Sequence, residues 1–234
     1  HYRYIASWFS KPNTSIILSN QWHEYGSFIF FQYIDEHLGG KETIRNFWEN
    51  SRQLSNSTED VTLTAINQEL ARFNSSFEDV YKRMCIANKI LSESENAELY
   101  RYEEAAGYRT QVSGPQEEFI IFNEQDTETL YNQSLMLYAS NYYAVATDSP
   151  VRIKLTTIEG DFALVAILKQ LGTNNWTVRF GDDINIDPDL GFEWISLLVS
   201  AVGESETFWS YRLQLMDGYS EHIESFIPYP NPSR

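Results

Sequence analysis

The sequence predicts an α+β protein in two domains, an N-terminal α-helical bundle followed by an antiparallel β-sandwich. Three observations predict it. Apolar residues recur at helical spacing up to about residue 91, the period changes to two from residue 118, and Ser113-Gly114-Pro115 stands between as a strong breaker. The chain therefore divides into 1–114 (helical), 115–226 (β-sandwich) and 227–234 (a proline-rich extended tail).

Residues 2–9 are aromatic-rich and predict a short helix, ended by the loop signature Lys11-Pro12-Asn13-Thr14. Residues 22–40 predict one long central helix. Trp22, Tyr25, Ile29, Tyr33 and Leu38 stand near helical spacing, and Phe28, Phe30, Phe31 and Ile34 widen the apolar face. Gly39-Gly40 stops it, because glycine accepts the left-handed conformation of a helix end. Residues 41–54 predict a second helix with Ile44, Phe47 and Trp48 inward. Residues 58–73 predict a third with Val61, Ala65, Leu70 and Phe73 inward. Ser76-Phe77-Glu78-Asp79 has the form of a capping box and starts a fourth, buried along Phe77, Val80, Met84 and Ala87. Short links predict antiparallel neighbours. Residues 92–117 are acidic and aromatic without a clear period.

Seven stretches then read as strands: 118–123, 134–145, 150–157, 162–169, 175–180, 192–202 and 207–216. Arg152, Lys154 and Thr156 alternate with Val151, Ile153 and Leu155, which gives one wet face and one dry. No helix of crossover length separates the strands, so an antiparallel sandwich is favoured over a parallel sheet.

The net charge of −16 makes nucleic acid an unfavoured partner, since phosphate backbones repel an acidic chain. No apolar run is long enough to span a bilayer. The chain lacks a starting methionine and a signal peptide, which predicts a trimmed front end. Cys85 is the only cysteine, so no internal disulfide forms, and its helical context predicts a buried small hydrophobe. Asn13, Asn56, Asn74, Asn132 and Asn175 head Asn-x-Ser/Thr triplets and are candidates for glycosylation in an exported protein.

Two resemblances carry expectations further. Tyr229-Pro230-Asn231-Pro232 resembles the lead-in to C-terminal sorting domains that type IX secretion machinery recognises. It implies a secreted or cell-surface bacterial protein. Residues 2–9, His23-Glu24-Tyr25-Gly26, the segment 34–39 and Ile44-Arg45-Asn46-Phe47-Trp48-Glu49, in that order, resemble the helical half of a family of secreted bacterial zinc metalloproteases. The strands over 192–216 are similar to that family's trailing β-domain. The family's catalytic His-Glu-x-x-His would lie upstream. Ser27 stands where a second histidine would complete a motif begun at His23, and zinc needs both imidazoles one turn apart. No catalytic residue carries over.

Asp183, Asn185, Asp187 and Asp189 form an oxygen-rich run able to take calcium, although Pro188 stands where an EF-hand loop needs glycine. No other cofactor is expected. Tyr142, Tyr143, Trp176, Trp194, Phe208, Trp209 and Tyr211 serve either as a sugar-stacking row or as core. Glu103-Glu104 and Glu117-Glu118 are adjacent acids, which do not face a single substrate. The expected function is that of a non-catalytic extracellular module pair acting by binding or self-assembly, with a homo-oligomer, filament, protein or carbohydrate as partner. The alternative is the downstream part of an active secreted zinc metalloprotease.

Overall fold

The computed structural model describes residues 2–19, 23–55, 61–123, 129–203 and 209–220. Its architecture is α+β. The helices are α1 (Tyr2–Phe9), α2 (His23–Gly26), α3 (Phe28–His37), α4 (Gly40–Leu54), α5 (Thr62–Leu70), α6 (Phe77–Ile90) and α7 (Ala105–Arg109).

The long helix expected over 22–40 is broken at Ser27. The Ser27 hydroxyl donates to the Glu24 carbonyl at 2.6 Å, competing with the helical ladder. The preceding Gly26 lies so close to α1 that a Cβ there would come within 2.6 Å of Trp8 Cβ. The stop at Gly39-Gly40 forms as expected, with φ of 84° and 73°, and α4 begins directly from it.

The central helix is α6 rather than α3. Nine residues of α6 are buried, against four of α3. Ser76 caps α6 by accepting the Asp79 amide at 3.1 Å, as its sequence predicts. In α4, Phe47 is buried but Trp48 is 71% exposed, because adjacent helical positions point about 100° apart. Phe73 likewise falls in a 3-10 turn (Ala71–Phe73) at the end of α5 and is exposed, while Ala65 and Leu70 point inward. The stretch without clear period holds α7 and a 3-10 run over Glu95–Tyr100, anchored by the buried rings of Tyr102 and Tyr108.

The strands are β1 (Glu118–Phe122), β2 (Thr129–Leu135), β3 (Ser140–Thr147), β4 (Val151–Glu159), β5 (Asp161–Gln170), β6 (Trp176–Phe180), β7 (Asp183–Ile186), β8 (Phe192–Val202) and β9 (Trp209–Asp217). They form two sheets, ordered β1-β3-β8-β5-β6 and β2-β9-β4-β7. One pair departs from the expected antiparallel pattern: β1 runs parallel to β3. The chain passes through β2 in the other sheet before returning as β3, so the two strands enter the sheet in the same direction. The single strand expected over 134–145 is two. Tyr138, with φ of 53°, turns the chain from the four-stranded sheet into the five-stranded one.

The five-stranded sheet is the middle of three layers. One face packs on the other sheet, where Phe162 meets Trp209 and Tyr211. The opposite face receives α6, which contacts β5 and β8. Tyr142 donates to the Cys85 carbonyl at 2.9 Å, and Tyr81, Ser140 and Ser200 share hydroxyl contacts of 3.0 and 2.8 Å. One buried apolar cluster runs through all three layers, from Ile5 and Phe30 through Met84 and Leu198 to Leu213. The Gln116 amide also bonds the Phe9 carbonyl at 2.7 Å, tying the start of the β region to α1. Among the described residues, no helix is long and apolar enough to cross a membrane.

Candidate functional site

Where α6 ends, the helix-facing side of the middle sheet is no longer covered. Lys169 on β5 stands opposite Trp176 on β6 and opposite Trp194 on β8. Residues directly opposite in antiparallel strands project to the same face, so the three side chains form a row across three strands. The α-helical layer supplies the facing wall through Lys89, Leu91 and Arg109. Between them lies a cleft of about 470 Å³, within the range of small-ligand sites.

The walls are set by ion pairs. Lys89 bonds Glu117 at 2.5 Å, both largely buried, and its ammonium lies 4.6 Å from the centre of the Trp194 ring. Glu117 also accepts from the Ser196 hydroxyl at 2.5 Å, which holds the carboxylate in place. Leu91 ends α6 in the left-handed region, with φ of 45°, and its carbonyl accepts from Arg109 at 2.8 Å. Two more pairs rim the opening: the half-buried Lys169 with Glu193 at 2.8 Å, and the exposed Arg109 with Glu93 at 3.4 Å. Ser92, Ser94 and Asn174 add neutral polar groups. The indole Nε1 of Trp176 is buried without a hydrogen-bond partner.

A second, polar cleft of about 350 Å³ lies on the other side of Glu117, lined by Asn13, Gln116, Glu118, Gln133 and Asn141. Beside it the Tyr143 and Tyr211 hydroxyls meet at 2.6 Å, with Asn141 donating to Tyr211. Burial, and then each other's charge in the case of Tyr143, pushes these phenols up, so they serve as hydrogen-bonding groups and not as proton donors of catalytic strength.

The oxygen-rich run is distributed along β7 and the turn that follows. Asp183 is engaged by Arg152, whose Nε donates at 2.6 Å, and the guanidinium holds its carboxyl below the usual range. Asn185 exchanges bonds with Tyr219, at 2.8 Å to the carbonyl and 3.0 Å from the amide. Asp187 is buried and accepts the Asp189 amide at 3.0 Å, while Asp189 is exposed. Among the described residues, no three His, Cys, Asp or Glu side chains are grouped to hold a metal. His23 is buried and stacked on Trp8 at 4.3 Å, and burial lowers its imidazole pKa. Cys85 is buried under the sheet, where desolvation pushes its thiol up.

Asn13, Asn74, Asn132 and Asn175 are all exposed, while Asn56 lies outside the described residues. Phe208 and the Tyr229-Pro230-Asn231-Pro232 motif also lie outside them. Of the remaining aromatic candidates, Tyr142, Tyr143, Trp209 and Tyr211 are buried, with Tyr142 and Tyr143 at the edge of the second cleft, and Trp176 and Trp194 are half-buried and line the first. Glu104, from one adjacent acidic pair, joins Glu36 through Gln32, whose amide donates to both at 2.9 and 2.7 Å. Burial pushes the Glu36 carboxyl up to about 7. The cleft cations Lys89, Arg109 and Lys169 carry no sequence signal of their own, since only strand pairing and the helix–sheet packing bring them together.

No protein-family model matches the chain, and no curated protein does. Solved structures similar to part of it include the pre-peptidase C-terminal domain of a collagenase from Bacillus anthracis. The identity is 15% over 44% of this chain and 98% of that one, with a TM-score of 0.29. Another is PliG, a periplasmic inhibitor of g-type lysozyme from Salmonella Typhimurium, at 8% over 43% and 98%, with a TM-score of 0.30. At that similarity the function has to be read from the chain's own geometry.

Proposed function

We propose that this chain is a non-catalytic module of an exported bacterial protein and acts by binding a ligand in the cleft between helices and sheet. The observation that carries the reading is the Trp176–Lys169–Trp194 row facing Lys89 and Arg109 across an open cleft. Its walls come from residues far apart in the chain. The side chains inside it are fixed by Glu117, Ser196 and the Leu91 carbonyl, the kind of support that preorganises a binding site. Among the described residues, no nucleophile stands beside a base in the cleft.

The exposure of the four described sequon asparagines supports an exported, glycosylated protein, and the tail motif supports type IX sorting. The motif order over residues 2–49 supports descent from the zinc metalloprotease type, and the change from helices to strands between Arg109 and Glu118 supports a module boundary near residue 114. Self-assembly is a secondary expectation, and the cleft does not require it.

The test is a thermal-shift screen of the full chain against neutral saccharides, acidic peptides and small carboxylates, beside the variant Trp194→Ala. A ligand that raises the melting temperature of the parent and not of the variant supports cleft binding. No such ligand in any class sinks it.

A further inference from the structure

Resting on the cleft-binding reading, we infer that the ligand is a neutral, hydroxyl-rich oligosaccharide lying across the Trp176–Lys169–Trp194 row. Three arguments converge on that chemistry.

The first is shape. Neighbouring strands lie about 4.8 Å apart, so the two indoles stand on strands separated by about 10 Å with Lys169 between them. Two half-buried rings flanking one polar side chain present apolar, polar and apolar contact in sequence. A short run of sugar rings offers the same alternation, with C–H faces to stack and hydroxyls between them. A compact ion or a single small ring would leave one indole unused.

The second is polarity. A hydroxyl both donates and accepts. The cleft supplies both kinds of partner side by side: Lys169 and Arg109 as donors, Glu93 and Glu193 as acceptors, Ser92 and Asn174 as either. The rim pair Arg109–Glu93 is exposed, so exchanging a pair partner for a ligand hydroxyl costs little there, while the half-buried Lys169 is held in place by Glu193. Lys89, locked by Glu117, lies over the Trp194 ring and holds its orientation before any ligand arrives.

The third is charge. The chain carries 33 acidic and 17 basic residues, so its field repels a polyanion. The three cleft cations are each matched by a carboxylate, at Glu117, Glu93 and Glu193, so no net positive patch is left to attract one.

Calorimetric titration of the full chain with neutral hexasaccharides of β-linked glucose, α-linked glucose, mannose and N-acetylglucosamine tests this, with a hexamer of galacturonate as the charged control. At least one neutral hexasaccharide is expected to bind. Trp176→Ala and Trp194→Ala are each expected to weaken it about ten-fold or more, as loss of an aromatic anchor does. Trp176→Phe, which keeps a ring, is expected to retain most of the affinity and guards against misfolding as the cause. Tighter binding of the galacturonate hexamer overturns the neutral assignment. Binding unchanged in both alanine variants overturns the location. If no neutral hexasaccharide binds, while a peptide or carboxylate still stabilises the parent and not Trp194→Ala, the saccharide inference fails and cleft binding stands. If nothing binds, both fail.

Discussion

The two sheets solve different packing problems, and their strands differ accordingly. In the four-stranded sheet, β4 buries Val151, Ile153 and Leu155 and exposes Arg152, Lys154 and Thr156, a strict alternation. In the five-stranded sheet, β5 is buried continuously from Leu164 to Leu168 and β8 from Ile195 to Val202. The first sheet has one face in water, whereas the inner strands β5 and β8 of the second are covered on both faces over those residues. A strand's period thus reports how many of its faces are covered, and continuous burial in an antiparallel strand signals a third layer. Here that layer is α6, and the cleft opens where it ends.

The largest contrast should appear between two single changes. Ile167→Ala, on the face of β5 that points to the helices, should cost about 2–5 kcal/mol because it leaves a cavity under α6. Thr156→Ala, on the wet face of β4, should stay within about 0.5 kcal/mol. Urea unfolding measures both, and equal losses would break the comparison. Next comes the passage between the sheets. Gly160 joins β4 to β5 with φ of 84°, and a Cβ there would lie 2.2 Å from the Trp209 ring. Gly160→Ala should cost roughly 1–3 kcal/mol, through overpacking and backbone strain together; an unchanged urea midpoint would deny that contact.

A smaller effect tests the helical cover. The Glu36 carboxyl, on α3, is raised from 4.5 to about 7, chiefly by burial. The folded state therefore binds the extra proton between those values. Its contribution is complete below the unfolded value and is lost as pH rises through about 7. The melting temperature of the parent, measured against Glu36→Gln, should fall from pH 5 to pH 8, modestly because the group keeps part of its surface in water. A flat difference between the two proteins would remove the Gln32-bridged carboxylates from the account. Smallest of all is Arg152→Ala. Its pair with Asp183 lies in solvent on the wet sheet, and no measurable change in urea midpoint is expected; a clear loss would show that face to be partly covered.

Much of the architecture was legible because local chemistry decided it. Ser76 could only be a cap, Gly39 a stop, and the Arg152–Thr156 alternation a one-sided strand. The misses share a cause in tertiary context. The Ser27 break depends on Gly26 meeting Trp8, and Trp48 faces water because α4 is covered on one side only. The parallel placement of β1 and the turn at Tyr138 depend on which sheet the chain enters. Trp176 and Trp194 were visible as candidates among seven aromatics. What sets them apart is Lys169 between them, and no sequence spacing shows which residues of three strands will stand abreast.

The lone thiol of Cys85 sits at the centre of the helix–sheet contact, wedged between α6 and the Ser140 hydroxyl, with its ionisation suppressed. A maleimide or disulfide reagent cannot reach it while those layers stay together. Its alkylation rate is therefore a clock for their parting, already built into the natural chain, and it reads the lifetime of the closed state without any introduced label.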